Sequence, residues 1–182
     1  GFPDALTDES TIGQFLTLWA TGMAMSLEGC AAQLGRPLEE SEVEPVNWAQ
    51  ARHADSLHAT DLARAQAAGV AFRRRLQRWW ADGWDLLLTP TLGEVPLALG
   101  TLANERDNPF HPLIRSASFV AFTPAFNMSG QPAISLPLHR TAEGVPVGVQ
   151  LVAAYGREDV LLRVAAQLEV AHPWADRRPG IS

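Results

Sequence analysis

The stretch FTPAFNMSGQPAISLPLHRTAEGVPVGVQLVA, residues 122–153, contains the two clearest strand patterns of the chain. Residues 132–138 and 145–153 are mainly aliphatic, and the polar residues 140–144 lie between them. A polar turn that contains glycine and joins two such segments is typical of a β-hairpin. The stretch therefore predicts two neighbouring antiparallel strands.

A third strand is predicted upstream of this hairpin. The sequence WDLLLT, residues 84–89, is a short apolar run that Pro90 ends. Such a run is typical of a strand that is buried on both faces. Three strands of this character need cover on both sides. We therefore predict an α/β fold in which part of a mixed β-sheet is covered by long α-helices.

Helices are predicted where apolar side chains recur at steps of three and four, in residues 10–34, 47–82 and 158–170. A further helix, in residues 116–126, should be broken at Pro124. The longest helix should begin at a capping box formed by Asn47 and Gln50, and it should cross a whole domain or bend at Gly69. Residues 90–112 are expected to be irregular.

The first predicted helix has an apolar stripe that indicates a core face. Its members are Ile12, Leu16, Trp19, Met23, Leu27, Cys30 and Leu34. A ligand groove is the alternative, since the stripe contains aromatic and sulfur-bearing side chains. We favour the core interpretation, because stripes of this kind are normally packing surfaces, and we expect Cys30 to be a buried, inert thiol.

Composition excludes several classes of function. The chain has 182 residues with 14 basic and 20 acidic side chains, and its formal charge of −6 disfavours nucleic acid and anionic membranes as partners. A single cysteine excludes an internal disulfide and a multi-cysteine metal site. No apolar run approaches the roughly 20 residues of a membrane span, and we expect a cytoplasmic protein.

All 14 basic residues are arginine. A chain without lysine forms no Schiff base, no P-loop and no lysine general base. His53 and His58 are too far apart in sequence for the HExxH zinc motif, and the serine motif GxSxG is absent. Residue spacing alone therefore indicates no complete catalytic constellation, no metal site and no cofactor.

Three segments of the chain resemble the C-terminal part of the amidase signature family. They are WDLLLTPTLGEVPLALG at 84–100, the stretch at 122–153, and EDVLLRVAAQLEVAHPW at 158–174. The ordered combination of TPT, PAISLP and GVPVGVQLV is specific, and residues 47–83 are similar to the family's long helix. Within the family, the sequence is most similar to bacterial hydrolases of linear amides and oligoamides, the group that includes nylon cyclic-dimer hydrolase.

The resemblance implies hydrolysis of carboxamide C–N bonds. Family members use a Ser nucleophile, a second Ser held through a cis peptide, and a Lys general base. The base must be neutral at working pH, which burial achieves for Lys but not for Arg. The family's Lys and Gly/Ser-rich stretch lie in the N-terminal half, and this chain contains neither, so no catalytic residue carries over. We expect residues 1–182 to be the C-terminal portion of a single domain, inactive alone.

The resemblance also implies that this portion supplies a wall of the substrate pocket. The candidate residues precede the second strand: Phe122, Thr123, Phe126, Asn127 and Gln131. Apolar side chains with a few polar ones suit a pocket that orients an amide. The alternative is that Asn127, Gly130 and Pro132 only shape a tight turn. Both interpretations stay open on the sequence.

Val120 bears on the choice of substrate. The glutamine-amidotransferase branch of the family carries an acidic residue seven positions before Asn127, and a free ammonium group beside Val120 would lose that partner. A fragment of the amidase-type component of a tRNA-dependent glutamine amidotransferase and a non-catalytic interaction domain with this fold are the alternatives. The expected partners are a small-molecule amide, the missing N-terminal portion or a second chain, and a second copy in a homodimer. Alone, the chain should expose an apolar sheet face.

Overall fold

The computed structural model describes residues 2–8, 10–105 and 107–177. Its helices are α1 Ser10–Leu34, α2 Pro45–Ala54, α3 Ala59–Ala81, α4 His111–Phe119, α5 Pro124–Ser129 and α6 Glu158–Ala171, and its strands are β1 Leu86–Pro90, β2 Ala133–Arg140 and β3 Pro146–Ala153. The predicted α/β class is confirmed. The chain divides into a first unit, Gly1–Arg74 with Ala98–Ala117, and a second unit, Arg75–Leu97 with Ser118–Ser182.

α1 begins and ends where the sequence predicts. The Asp8 carboxylate accepts hydrogen bonds from the Ser10 N–H at 3.0 Å and from the Ser10 hydroxyl at 2.6 Å. At the other end, Gly35 leaves the helix with a φ of +70°, a conformation that glycine adopts without strain.

The prediction that the apolar stripe of α1 is a core face is wrong. Ile12, Leu16 and Trp19 are 59%, 38% and 39% exposed, and Cys30, expected to be buried, is exposed. α1 packs against α2, but α2 has 10 residues against the 25 of α1 and covers only part of it. The spacing of the stripe thus identifies an apolar face that this chain leaves open.

The long helix predicted for residues 47–82 is divided into α2 and α3. The break lies at residues 55–58, and the predicted bend at Gly69 is wrong, because Gly69 lies inside α3. In the break, the Asp61 carboxylate accepts the N–H of His58 at 2.9 Å. Such side-chain-to-backbone bonds compete with helical hydrogen bonds, which explains why the helix stops here.

The predicted capping box is also wrong. α2 begins at Pro45, two residues before Asn47, and Glu44 occupies the capping position. Proline is favoured at a first helical position because its missing N–H has no helical partner there. Gln50, the other half of the predicted box, is buried.

β1, β2 and β3 form an antiparallel sheet in the order β1-β3-β2. The predicted hairpin is confirmed, since β2 and β3 pair directly and the Thr141 N–H donates to the Val145 carbonyl across the turn at 2.9 Å.

α6 packs against β2 and β3. The core formed there contains Leu136, Leu151, Ala153, Leu161 and Ala165. Leu88 on β1 pairs in register with Leu151, so both side chains point to the same face of the sheet. Leu88 is nevertheless 66% exposed, and the prediction of a β1 strand buried on both faces is wrong at this position. The expected exposed apolar sheet surface is present at this edge.

The helix that the sequence expects to be broken at Pro124 is indeed two helices. α4 ends at Phe119 and α5 begins at Pro124. Proline lacks an N–H and its ring displaces the preceding turn, so a continuous helix through residues 120–123 is unfavourable.

None of the described helices is long and apolar enough to cross a membrane. Within the same described ranges, no group of three or more His, Cys, Asp or Glu side chains could hold a metal ion.

Candidate functional site

The candidate residues lie on residues 120–131, which connect α4 to β2 in the second unit and which we call the site segment. α5 forms its centre, with Pro124 at its first position. Gly130 ends α5 with a φ of +76°, and its N–H donates to the Phe126 carbonyl at 2.8 Å. A residue with a side chain would be strained in this left-handed conformation, so Gly130 fixes the turn into β2.

A buried hydrogen bond ties the start of the site segment to the sheet. The Gln150 side chain on β3 is 4% exposed, and its Nε2 donates to Thr89 Oγ1 at 3.0 Å and to the Phe122 carbonyl at 3.5 Å. Thr89 and Gln150 are register partners on β1 and β3. The sequence analysis missed both residues, although each is a polar residue inside an apolar strand, and that pattern could have identified them.

A second contact holds the end of α4 against the loop that follows β1. The Gly93 N–H donates to the Phe119 carbonyl at 2.9 Å. A Cβ atom at Gly93 would overlap the backbone carbonyl oxygen of Ser118, so only glycine allows this approach. The Ser118 hydroxyl also donates to the Glu94 carboxylate at 2.5 Å.

The five candidate side chains differ in how far they reach the surface. Asn127 is exposed, Phe122 and Thr123 are half-buried, and Phe126 and Gln131 are buried at 6% and 5% exposure. A ligand can therefore reach the Asn127 amide directly, whereas Phe126 and Gln131 lie inside the unit.

Two buried polar groups flank Gly130. The Ser129 hydroxyl and both polar atoms of the Gln131 amide find no hydrogen-bond partner among the described residues. Leaving a buried amide unpaired disfavours folding by about 1–3 kcal/mol. We therefore expect a further partner for these groups from beyond the described residues. Ser129 is a polar residue that the sequence analysis did not single out.

Tyr155 borders the site segment from the loop after β3. A Cβ atom at Gly130 would lie 3.5 Å from the Tyr155 ring, and the Tyr155 N–H donates to Gln77 Oε1 at 3.4 Å. The ring is 63% exposed. The sequence contains no local signal that brings Tyr155 to Gly130, since the contact depends on the pairing of strands.

A pair of hydroxyl groups meets over Gly148. The Thr91 and Ser135 hydroxyls are 2.6 Å apart, and a Cβ atom at Gly148 would lie 2.7 Å and 2.8 Å from them. The glycine of the GVQ sequence is therefore required by this close approach.

One Ser–His pair occurs in the first unit, and its geometry is that of a turn. Ser56 Oγ lies 3.4 Å from His53 Nδ1, but the hydroxyl donates to the His53 carbonyl at 2.7 Å. The proton is thus engaged by the backbone, and the pair does not resemble an activated nucleophile.

The strongest shift in acidity lies at the connector between α1 and α2. Glu42 accepts two hydrogen bonds from the Arg36 guanidinium, at 2.7 Å and 2.8 Å, and one from the Glu39 N–H at 3.0 Å. The Arg36 bond, followed by the Glu39 N–H, lowers the pKa of Glu42 to about 2. This pair stabilises the connector and has no contact with the site segment.

Comparison with known proteins adds a family and several relatives. A family model described as Amidase matches residues 17–162. The chain is 43% identical over 98% of its length to the 6-aminohexanoate-cyclic-dimer hydrolase of Paenarthrobacter ureafaciens and covers 37% of that protein. It is 36% identical over 91% of its length to a putative amidase AmiC of Mycobacterium tuberculosis, of which it covers 34%. The chain thus spans little more than a third of these relatives.

The structural comparison agrees. The solved structure of a 6-aminohexanoate cyclic dimer hydrolase complexed with substrate aligns with a TM-score of 0.92 and 39% identity, over 99% of this chain and 38% of that one. A bacterial aryl acylamidase aligns with a TM-score of 0.72 over 94% of this chain and 36% of that one, but at 19% identity it shows the fold alone.

Proposed function

Because this chain belongs to the amidase family, we propose that the protein that contains it hydrolyses carboxamide C–N bonds. The identity of 43% over 98% of the chain with a 6-aminohexanoate-cyclic-dimer hydrolase supports this proposal most directly. The family resemblance stated from sequence is confirmed by the family model and by these relatives.

Within that protein, we assign this chain a supporting part of the domain. An amidase of this family needs a neutral lysine as its base, and the chain has arginine at all 14 basic positions. The nucleophile and base must therefore come from another part of the same polypeptide or from a second chain, and a homodimer is compatible with either arrangement. We place the protein in the cytoplasm, which its single cysteine and acidic composition favour.

The site segment is the wall that we assign to the substrate pocket. Asn127 presents a carbonyl oxygen and an NH₂ group at the surface, so its side chain can accept from the N–H and donate to the C=O of an amide. Phe122 and Thr123 border it, while Phe126 and Gln131 shape the segment from inside. We infer that the substrate is a small oligoamide, in line with the relatives' names.

A chimera tests the proposal. In it, the part of the Paenarthrobacter ureafaciens hydrolase that matches this chain, 37% of that protein, is replaced by residues 1–182. If the chain supplies a compatible pocket wall, the chimera should hydrolyse the 6-aminohexanoate cyclic dimer, and release of amine is measured over time.

The chain alone is the matched control, and it should show no hydrolysis. A chimera that folds, by circular dichroism and thermal unfolding, but has no activity would contradict the proposal. Hydrolysis by the chain alone, blocked by a serine-directed inhibitor, would contradict the assignment of catalysis to another part of the protein.

A further inference from the structure

A cavity of about 260 Å³ in the second unit is separate from the site segment, and the proposed function gives it no role. Its wall is formed by Trp80, Gly83, Trp84, Asp85, Ala154, Arg157 and Val160. Pockets for drug-sized ligands measure roughly 300–1,000 Å³, so this cavity suits a smaller molecule.

Two indole rings form a corner of this cavity. Trp84 stacks on Trp79 with ring centroids 5.3 Å apart and planes 7° apart, and Trp79 meets Trp80 edge-on at 88°. Because Trp84 is almost parallel to Trp79, the planes of Trp84 and Trp80 cross at close to a right angle. Trp84 is 47% exposed, whereas the indole nitrogen of Trp80 is buried. The rings thus offer aromatic surface, and the N–H of Trp80 does not face the opening.

The charges around the cavity favour a cation. Asp85 lies in the wall, and Glu158 and Asp159 form the first turn of α6 beside it. The guanidinium of Arg157, also in the wall, is engaged by Asp159 through Nε at 2.9 Å and Nη2 at 3.2 Å. Asp159 also accepts a hydrogen bond from Arg163 at 3.3 Å.

Three carboxylates therefore face two guanidinium groups, and both guanidinium groups bind Asp159. Asp85 and Glu158 remain as negative charge at the rim of the cavity. An anionic ligand would be repelled by these groups, whereas a cation would be attracted by them and by the electron-rich faces of the indoles.

We propose that this cavity binds a primary alkylammonium ion, with the ammonium group between the Trp84 face and Asp85 and the alkyl chain along Trp80 and Val160. Aromatic side chains combined with a carboxylate are a recurring way to hold organic ammonium groups. The cavity does not need the catalytic part of the protein, so this binding is independent of the proposed hydrolysis.

The experiment uses the whole 182-residue chain and n-butylammonium chloride as the probe. The chain has six tryptophans, and their indole N–H signals are followed by ¹H–¹⁵N NMR during a titration. 1-Butanol and sodium butyrate have the same chain length with no charge and with the opposite charge. We expect n-butylammonium to shift the signals of Trp80 and Trp84 with a millimolar Kd and the two control compounds to bind at least about tenfold more weakly.

Two variants test the assigned contacts. Asp85→Asn should raise the Kd about fivefold, and Trp84→Leu should raise it about tenfold or more. Asp55→Asn, the same substitution at an exposed position of the first unit, should leave the Kd unchanged. Asp85 and Trp84 are both exposed, and Asp85→Asn keeps the test informative even where Trp84→Leu unfolds. Equal binding of 1-butanol or butyrate, or an Asp85→Asn variant with unchanged Kd, would overturn the proposal.

Discussion

Replacing Thr89 by valine should destabilise the chain by more than its small change in shape suggests. Thr89 and Gln150 are each 4% exposed, and the Gln150 amide donates to the Thr89 hydroxyl at 3.0 Å. Valine has nearly the same volume but no acceptor, which leaves Gln150 with only the contact of 3.5 Å to the Phe122 carbonyl. Since a buried donor without a full partner costs about 1–3 kcal/mol, we expect a loss of that size.

A double-mutant cycle isolates the contribution of this hydrogen bond. Gln150→Leu removes the donor, and the variant that carries both substitutions removes both polar groups, so no donor is left unpaired. The double variant should therefore be more stable than the sum of the single losses suggests, by about 1 kcal/mol. The free energy of unfolding is measured by urea denaturation followed by tryptophan fluorescence.

Thr60→Val is the matched control, because Thr60 is exposed, and its effect should stay within about 0.5 kcal/mol. Single losses that add within about 0.3 kcal/mol would refute the account of the buried bond. The result also bears on the site, because the same Gln150 amide holds the carbonyl of Phe122.

The remaining predictions concern packing, pH and substrate binding. Gly93→Ala should destabilise the chain by about 1–3 kcal/mol, because its Cβ would overlap the Ser118 carbonyl oxygen, whereas Gly69→Ala, in α3 with nothing within 4 Å, should stabilise it by up to about 1 kcal/mol; urea denaturation distinguishes the two. The folded-state pKa of Glu42, about 2, lies below its ordinary value of 4.5, so its stabilising effect is present above pH 4.5 and is lost as the pH falls towards 2. Glu42→Gln should reduce that loss, which a comparison of urea midpoints at about pH 6 and about pH 3 would reveal; equal losses in both proteins would contradict it. In the chimera, Asn127→Ala should raise KM about tenfold or more for the cyclic dimer, and an unchanged kcat/KM would exclude Asn127 from the binding site.

Local patterns predicted most of the secondary structure. The hairpin of β2 and β3 follows from two aliphatic segments joined by a polar turn, and the interruption between α4 and α5 follows from Pro124. The start and end of α1 follow from Asp8 and Gly35. Each of these features depends on residues that are close together in sequence, where propensity and local hydrogen bonds decide.

Features that depend on distant residues were not accessible in the same way. The stripe of α1 indicated an apolar face, but the spacing cannot tell whether another element covers that face, and here it is open. The bond from Gln150 to Thr89 and Phe122 joins residues 61 and 28 positions apart in sequence. The pocket role of Asn127 rests on the family resemblance, and its exposure is the structural support for it.

The central claim is that the site segment forms a wall of the amide-binding pocket. A crystal structure of the active chimera, with its nucleophile replaced and the cyclic dimer bound, tests this directly. We predict that the Asn127 side chain lies about 3 Å from an amide oxygen or nitrogen of the substrate. A bound substrate that contacts no residue from 120 to 131 would contradict the claim.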